Sequence, residues 1–371
     1  MIQKSSGKMV RSMEKVNFGV VGLKGIGQTH IDAIRNVEEA DLVAVADIDE
    51  DVAREASSQH KVEWYADYVE MLERQDVDAV GICTPHFLHS PMAIRAMEYG
   101  KHVLVEKPMA VSVVEADQMV DRAEREGVNL GVVYQYRLNP IQLEIKSIIE
   151  GGKIGRILRV CMEACVFRTQ AYYNRDAWRG KWATEGGGAM INQTIHYFDL
   201  LQWFVGKPRR LHGWVDTMLH EIEVEDIASS AILFENGAHG IVQVSTVDAV
   251  PTVRLEIAGE RGKLVSEGSG LRLGLLEKSA REYVLEDVVW GKPSFQWSDV
   301  DVKEKEGGGH AEIIRDFAGS ILEDRNPMIT GEDGRASLEI VNAITLSSFE
   351  GRPVEFPISR DSYGKLLKRL K

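Results

Sequence analysis

"VVGLKGIGQTH", Val20 to His30, follows an apolar run and carries three glycines, Gly22, Gly25 and Gly27. Its spacing departs from the dinucleotide fingerprint G-x-G-x-x-G. Anchored on Gly22, the fingerprint wants glycine at 24 and 27 and meets Lys24 and Gly27; anchored on Gly25, it meets Gly27 and then His30. Context favours the first anchor. An apolar strand ends at Val21, a helix begins near Gly27, and the next strand ends in "AVADID", with Asp47 about 20 residues beyond the loop. A carboxylate there accepts hydrogen bonds from ribose hydroxyls and repels a 2′-phosphate, so the loop reads as an NAD site rather than an NADP site. Its cofactor-facing residues are Gly22, Lys24, Gly25, Ile26 and Gly27. A glycine-rich turn that binds nothing is the alternative.

Outward from this loop, short valine-rich runs alternate with helical patterns as far as Arg137: "VNFGVVG", "DLVAVAD", "VDAVGIC", "KHVLVE" and "VNLGVVYQY". Runs apolar almost throughout suit strands buried on both faces. Repeated strand and helix units predict a parallel, doubly wound sheet with right-handed crossovers over 15–137. After it, several alternating segments between Arg209 and Leu285 predict an α+β domain over 138–371, with an open, mostly antiparallel sheet and helices on one face. "AMINQTIHYFDLLQWFVG" reads as one helix, 282–309 as loop with short strands, and two helices close the chain, the second capped near Gly351. Met1 to Glu14 reads as a flexible polar extension without a secretory apolar region.

The 371 residues suit two domains. With 57 acidic and 44 basic residues, the net charge of -13 argues against nucleic acid or an anionic membrane as partner. The three cysteines, Cys83, Cys161 and Cys165, are too sparse for a disulfide framework and point to the cytoplasm. Cys161 and Cys165 alternate along a strand, which sets them ~13 Å apart at ~3.3 Å per residue, too far for a bridge. No metal site is expected.

Three places carry chemistry. "VLVEKPMAVS" ends a central strand at the carboxyl edge where ligands bind in such sheets, which places Lys107 at the mouth of the cleft and makes Glu106 and Lys107 cofactor contacts; a solvated surface lysine is the plainer alternative. "ICTPHFLH" ends another, where Thr84 and Pro85 line a cofactor and His86 or His89 lies near it; helix capping or a surface position is the plainer reading of those histidines. In "EGGGAMINQTIHYFDLLQW", Asn192, His196 and Asp199 share one helix face at 100° per residue, so the stripe is either satisfied internally or faces a wet cleft. A histidine is suited to take a hydroxyl proton, with Asp199 orienting it; alone, it is as readily a satisfied core residue.

These motifs, together with the terminal "HAEIIRDFAGSILEDRNPMITGEDGRASLEIVNAI", resemble the Gfo/Idh/MocA oxidoreductases in content and order over nearly all of the chain after Lys15. The resemblance implies an N-terminal Rossmann domain, a C-terminal sheet used for homodimer or homotetramer contacts, and NAD-dependent oxidation at a carbon of a sugar or cyclitol with hydride passing to nicotinamide C4. It makes Lys107 the residue polarising the hydroxyl, with a cis peptide to Pro108, and His196 the proton acceptor. Many members have aspartate where this chain has Asn192; an amide can hold a hydroxyl but cannot take its proton. The resemblance further places Tyr136 and Arg137 near the substrate, makes Trp178 and Arg179 pocket residues, and brings His310 to the pocket. Relatives that cleave glycosides by transient oxidation and elimination, and a dinucleotide-binding repressor, supply the two rival expectations.

Overall fold

The computed structural model describes residues 14–302 and 309–371; most of the expected N-terminal extension therefore lies outside the described residues. Six parallel strands, β1 (Val16–Val21), β2 (Ala40–Ala46), β3 (Glu63–Tyr65), β4 (Ala79–Ile82), β5 (His102–Val105) and β6 (Leu130–Val132), lie in the order 3-2-1-4-5-6. The central ones are apolar and buried, as a sheet covered on both faces requires. Helices α1 (Ile26–Arg35), α2 (Glu50–His60), α3 (Tyr68–Leu72), α4 (His86–Glu98) and α5 (Val113–Glu126) connect them. Sequence periodicity misses β3, which has only three residues at the sheet edge. The order reverses beside β1, so the ends of β1 and β4 open a crevice.

The second sheet has nine strands. Among β7 (Ile157–Phe167), β8 (Pro208–Asp216), β9 (Ile227–Phe234), β10 (His239–Ser245), β11 (Val247–Gly259), β12 (Gly262–Glu267), β13 (Gly270–Leu276), β14 (Phe295–Asp299) and β15 (Val354–Glu355), the order is 14-13-12-11-7-10-9-8-15. Every pairing is antiparallel except β7 with β10. Helices α6 (Pro140–Glu150), α7 (Gln170–Asn174), α8 (Ile195–Val205), α9 (Ala280–Val284), α10 (His310–Leu322), α11 (Gly331–Glu350) and α12 (Arg360–Leu370) complete the chain. Three helices, not the expected two, follow residue 309. Helix α12 is polar overall and buries only a narrow stripe of Tyr363, Leu366 and Leu367. One face of the sheet is covered by α8 and α11, while the other leaves Trp214 and Ile241 exposed.

The C-terminal helices return to the first sheet. Helix α10 packs on α1, β1 and β2, and α11 packs on α5 and β6 while supporting α8 and β8. The start of α11 is fixed by a capping box in which the Thr330 side chain accepts from the Asp333 amide and Asp333 reaches back.

The segment read as a single helix is two pieces. Gly188, Ala189 and Met190 donate their amides to Glu225, through its carboxylate and its carbonyl, at 2.9–3.0 Å. These bonds start a wide turn over Ala189–Gln193, in which the Thr194 amide reaches back five residues to the Ala189 carbonyl at 3.0 Å. Thr194 leaves helical geometry and also bonds Ala189 through its hydroxyl, and α8 starts afresh at Ile195. A uniform 100° per residue therefore fails across Thr194, and Asn192 does not share a helix face with His196.

In the glycine loop, Gly22 has φ +83°, and a Cβ on Gly27 would sit 1.9 Å from the Gly22 carbonyl oxygen. That contact forces backbone to move, so Gly27→Ala is expected to cost about 1–3 kcal/mol of stability, read by chemical denaturation; an unchanged midpoint would show that the turn yields freely.

Candidate active site

The ends of β1, β2, β4 and β5 and the 175–192 region enclose a cleft of about 900 Å³. Gly22, Lys24, Gly25, Ile26, Asp47, Thr84, Pro85, His89, Glu106, Lys107, Trp178, Arg179 and Asn192 all line it. Gly27 lies beneath the loop. Gly25 has φ +56° with none of the described residues within 4 Å of its Cβ position, so the backbone freedom missing at Lys24 is supplied one residue later. Lys24 is exposed and pairs with Asp49 at 2.8 Å. Asp47 accepts from the Leu23 amide at 2.8 Å and from the Asp49 amide at 3.0 Å, one bond to each oxygen. Each oxygen keeps acceptor capacity for a ribose hydroxyl. The tight turn, whose space a Cβ would fill, and this carboxylate together fit a dinucleotide.

At the inner end, the peptide from Lys107 to Pro108 is cis. The Lys107 ammonium donates to the Asn192 carbonyl at 2.9 Å. Burial pushes its pKa down, and Arg179 and Arg168 add to that, against the pull of Glu106 and Glu185. Glu106 is buried at the end of β5 and accepts from His30 at 2.9 Å and His310 at 3.1 Å. Burial opposes its ionisation, but these two hydrogen bonds prevail and hold the carboxyl well below its usual range. The three ligand atoms lie within 4.8 Å of one another, a spacing open to a metal ion, and hydrogen bonding already accounts for it. His310 therefore supports Glu106 from behind and is not among the residues lining the cleft.

His196 is buried and, like Tyr136, is not among the residues lining the cleft; the two rings stack with centroids 4.2 Å apart, and Tyr136 lines a separate cavity with Met162, Tyr197 and Leu255. The Nδ1 of His196 has no hydrogen-bond partner among the described residues. Burial lowers its pKa well below the ordinary 6.5, and Lys107 nearby lowers it further. Asp199 does not orient this ring. It takes both arms of Arg137, Nε at 2.8 Å and an Nη at 2.6 Å, while Asp333 takes the guanidinium at 3.0 Å. Arg137 is thus a buried structural cation, not a cleft residue: a guanidinium only 4% exposed requires carboxylates, and α8 and α11 supply them. Burial weighs against its charge, and the two carboxylates keep it firmly protonated.

His86 and His89 are buried rather than surface residues. His89 lies 2.7 Å from both the Thr84 and Pro108 carbonyls, tying the ends of β4 and β5 together. His86 packs against Trp178 at 4.7 Å, and Arg179 covers the Trp178 ring at 4.4 Å. Two residues here escape sequence reasoning: Tyr172, whose hydroxyl takes Gln193 Nε2 at 2.6 Å and also Arg179, and the fully buried Glu185, which bonds Asn192. The glutamate beside the glycine run was the available signal for the second; Tyr172 had none.

Residues 16–134 match the model of an oxidoreductase family with an NAD-binding Rossmann fold, and residues 142–265 match the GFO/IDH/MocA C-terminal domain. The chain is 26% identical to a myo-inositol 2-dehydrogenase of Thermotoga maritima, over 92% of this chain and 98% of that one. It is also 26% identical to an NAD(+) scyllo-inositol 2-dehydrogenase of Bacillus subtilis, over 93% and 98%. The crystal structure of the WlbA dehydrogenase from Bordetella pertussis, in complex with NADH and UDP-GlcNAcA, superposes with a TM-score of 0.79 at 29% identity, covering 93% of this chain and all of that one.

Arg137→Met is expected to cost about 3–5 kcal/mol by leaving Asp199 buried and unpaired. Adding Asp199→Leu should recover much of that loss in urea unfolding; equal stability of the single and double variants would refute the pairing.

Proposed function

The chain belongs to the Gfo/Idh/MocA family of NAD-binding oxidoreductases, and we propose that it oxidises a secondary alcohol of a sugar, sugar derivative or cyclitol, with Lys107 polarising the hydroxyl oxygen and His196 taking its proton. The observation that carries this reading is the buried Lys107 ammonium at the inner end of a cleft whose outer end fits a dinucleotide, with a buried histidine behind the lining, His196, near enough for the ammonium's charge to help keep it neutral. The names of the two inositol dehydrogenases support the substrate class.

Gly22, Gly25 and Gly27 would hold the pyrophosphate and Asp47 the ribose. When bound, NAD supplies the hydride acceptor. The residues of this chain do the rest. Lys107, fixed by the Asn192 carbonyl, offers its remaining hydrogens to a hydroxyl oxygen. His196 is held against Tyr136 with an unpartnered Nδ1. Asn192, unable to accept a proton outright, binds a substrate hydroxyl. Trp178 and Arg179 form the outer wall of the substrate end. Elimination from a glycoside would leave no net absorbance change at 340 nm, which separates that chemistry from the dehydrogenase.

A base must be unprotonated, and the lowered His196 pKa keeps it so to lower pH. The acid limb of kcat is therefore expected below pH 6.5. Lys107→Ala and His196→Ala should each lower kcat about 10²-fold or more, on the substrate giving fastest NAD reduction among sugars, uronates and inositols. Intact turnover in both variants would sink the assignment.

We also infer a homo-oligomer formed through the uncovered face of the nine-stranded sheet, where Trp214 and Ile241 are exposed. The three free cysteines support a reducing, cytoplasmic location. Light scattering should report a dimer or tetramer and Ile241→Asp should reduce its mass; a monomeric wild type would refute the interface.

A further inference from the structure

The segment entering the glycine run carries a carboxylate for which the dehydrogenase reading has no task. Glu185 is fully buried, and its Oε2 accepts the Gly180 amide while its Oε1 lies against Asn192 Nδ2. Its backbone carbonyl is held by His86 Nδ1 at 3.0 Å. Asn192 Nδ2 also lies 3.4 Å from the Tyr172 hydroxyl. That hydroxyl already accepts from Arg179 and Gln193, so its own proton is free to be donated.

The amide of Asn192 has two ways to meet these neighbours, and the charge on Glu185 selects between them. An ionised carboxylate only accepts, so it takes Nδ2 and leaves Oδ1 as the free atom of the amide. A protonated carboxyl keeps Oε2 for the Gly180 amide and donates from Oε1. The amide must then turn over, placing Oδ1 between the Glu185 and Tyr172 hydroxyl protons and freeing Nδ2. We propose that Glu185 is a positioning residue whose protonation decides whether Asn192 offers the cleft an acceptor or a donor. What the amide meets there, a substrate hydroxyl, rests on the dehydrogenase reading.

Burial pushes the Glu185 carboxyl up to about 7, against the pull of Asn192, the Gly180 amide, Arg179 and Lys107. The other groups facing it are Glu225 from the segment leading into β9, Tyr173 from α7 and His86 from α4. Glu225 is also raised to about 7 by burial, but it serves the Gly188 and Met190 amides. Lys107 and Arg179 are donors only. The ionised form of Glu185 therefore leaves an acceptor, Asn192 Oδ1, beside the Lys107 and Arg179 donors, whereas the protonated form turns a third donor towards them.

The test uses the full-length protein with NAD, labelled with 15N at asparagine, the Asn192 side-chain signals being assigned by their loss in Asn192→Asp. Between about pH 5.5 and about pH 8.5 those signals should shift with one proton in the wild type and stay constant in Glu185→Gln. In that variant the introduced carboxamide must accept from Gly180 and donate to Asn192, as the protonated acid does. Invariant wild-type signals, or the same titration in Glu185→Gln, would overturn the proposal; the wild-type titration decides alone if the variant does not fold. On the best substrate of the NAD-reduction panel, KM should rise about fivefold to tenfold on acidification in the wild type only, with kcat changing less. A KM flat with pH while the amide titrates would remove the substrate contact. Titrating signals without reduction of NAD by any polyol would retire the dehydrogenase reading and leave the amide switch standing.

Discussion

A single buried carboxylate holds the two halves of this chain in register at the cleft. Glu106, at the end of β5, accepts from His30 on α1 and from His310 on α10, which lie 280 residues apart in sequence. An ionised carboxyl with little solvent contact is tolerable only if several donors converge on it. That requirement brings the first crossover helix and a helix from the far end of the chain to the same strand end. The residue after Glu106 is Lys107, so what anchors the carboxylate also places the ammonium.

The same logic of buried charge recurs one layer away. Arg137, just after the first sheet, is matched by Asp199 on α8 and Asp333 on α11. Breaking α8 from the turn before it is part of this arrangement. Glu225 collects the amides of that turn, Thr194 closes it, and α8 leaves in a direction that gives Asp199 to Arg137 while His196 stacks on Tyr136. The turn itself brings the Asn192 carbonyl to Lys107 and its amide to Glu185. Backbone accounting thus shapes the inner end of the cleft as much as side-chain chemistry does, because each buried N–H there has to find an acceptor.

Polar groups around the substrate end are densely cross-linked. Tyr172 takes hydrogen bonds from Arg179 and Gln193, and Arg168 holds Gln193 in turn at 2.8 Å. Such a network keeps side chains in place without a ligand, the condition under which a cleft can orient a bound molecule rather than merely admit one. The outer end is plainer: tight glycine backbone and one carboxylate at a strand end, the minimum a dinucleotide requires.

Much of this was legible in the residues. Period-two and near-continuous apolar runs mark both sheets, and the Gly22 loop, Asp47 and "EKP" point to strand ends that line the cleft. These are local signals, written by backbone geometry and by burial that repeats with a fixed period. What the sequence did not determine were the partners. Asp199 stands three residues from His196 and yet belongs to Arg137; His310 stops short of the cleft at Glu106; Glu185 gave no sign of its bond to Asn192. Only the tertiary structure decided these, because pairing a buried charge or amide depends on which elements meet in space, and those elements lie as much as 204 residues apart.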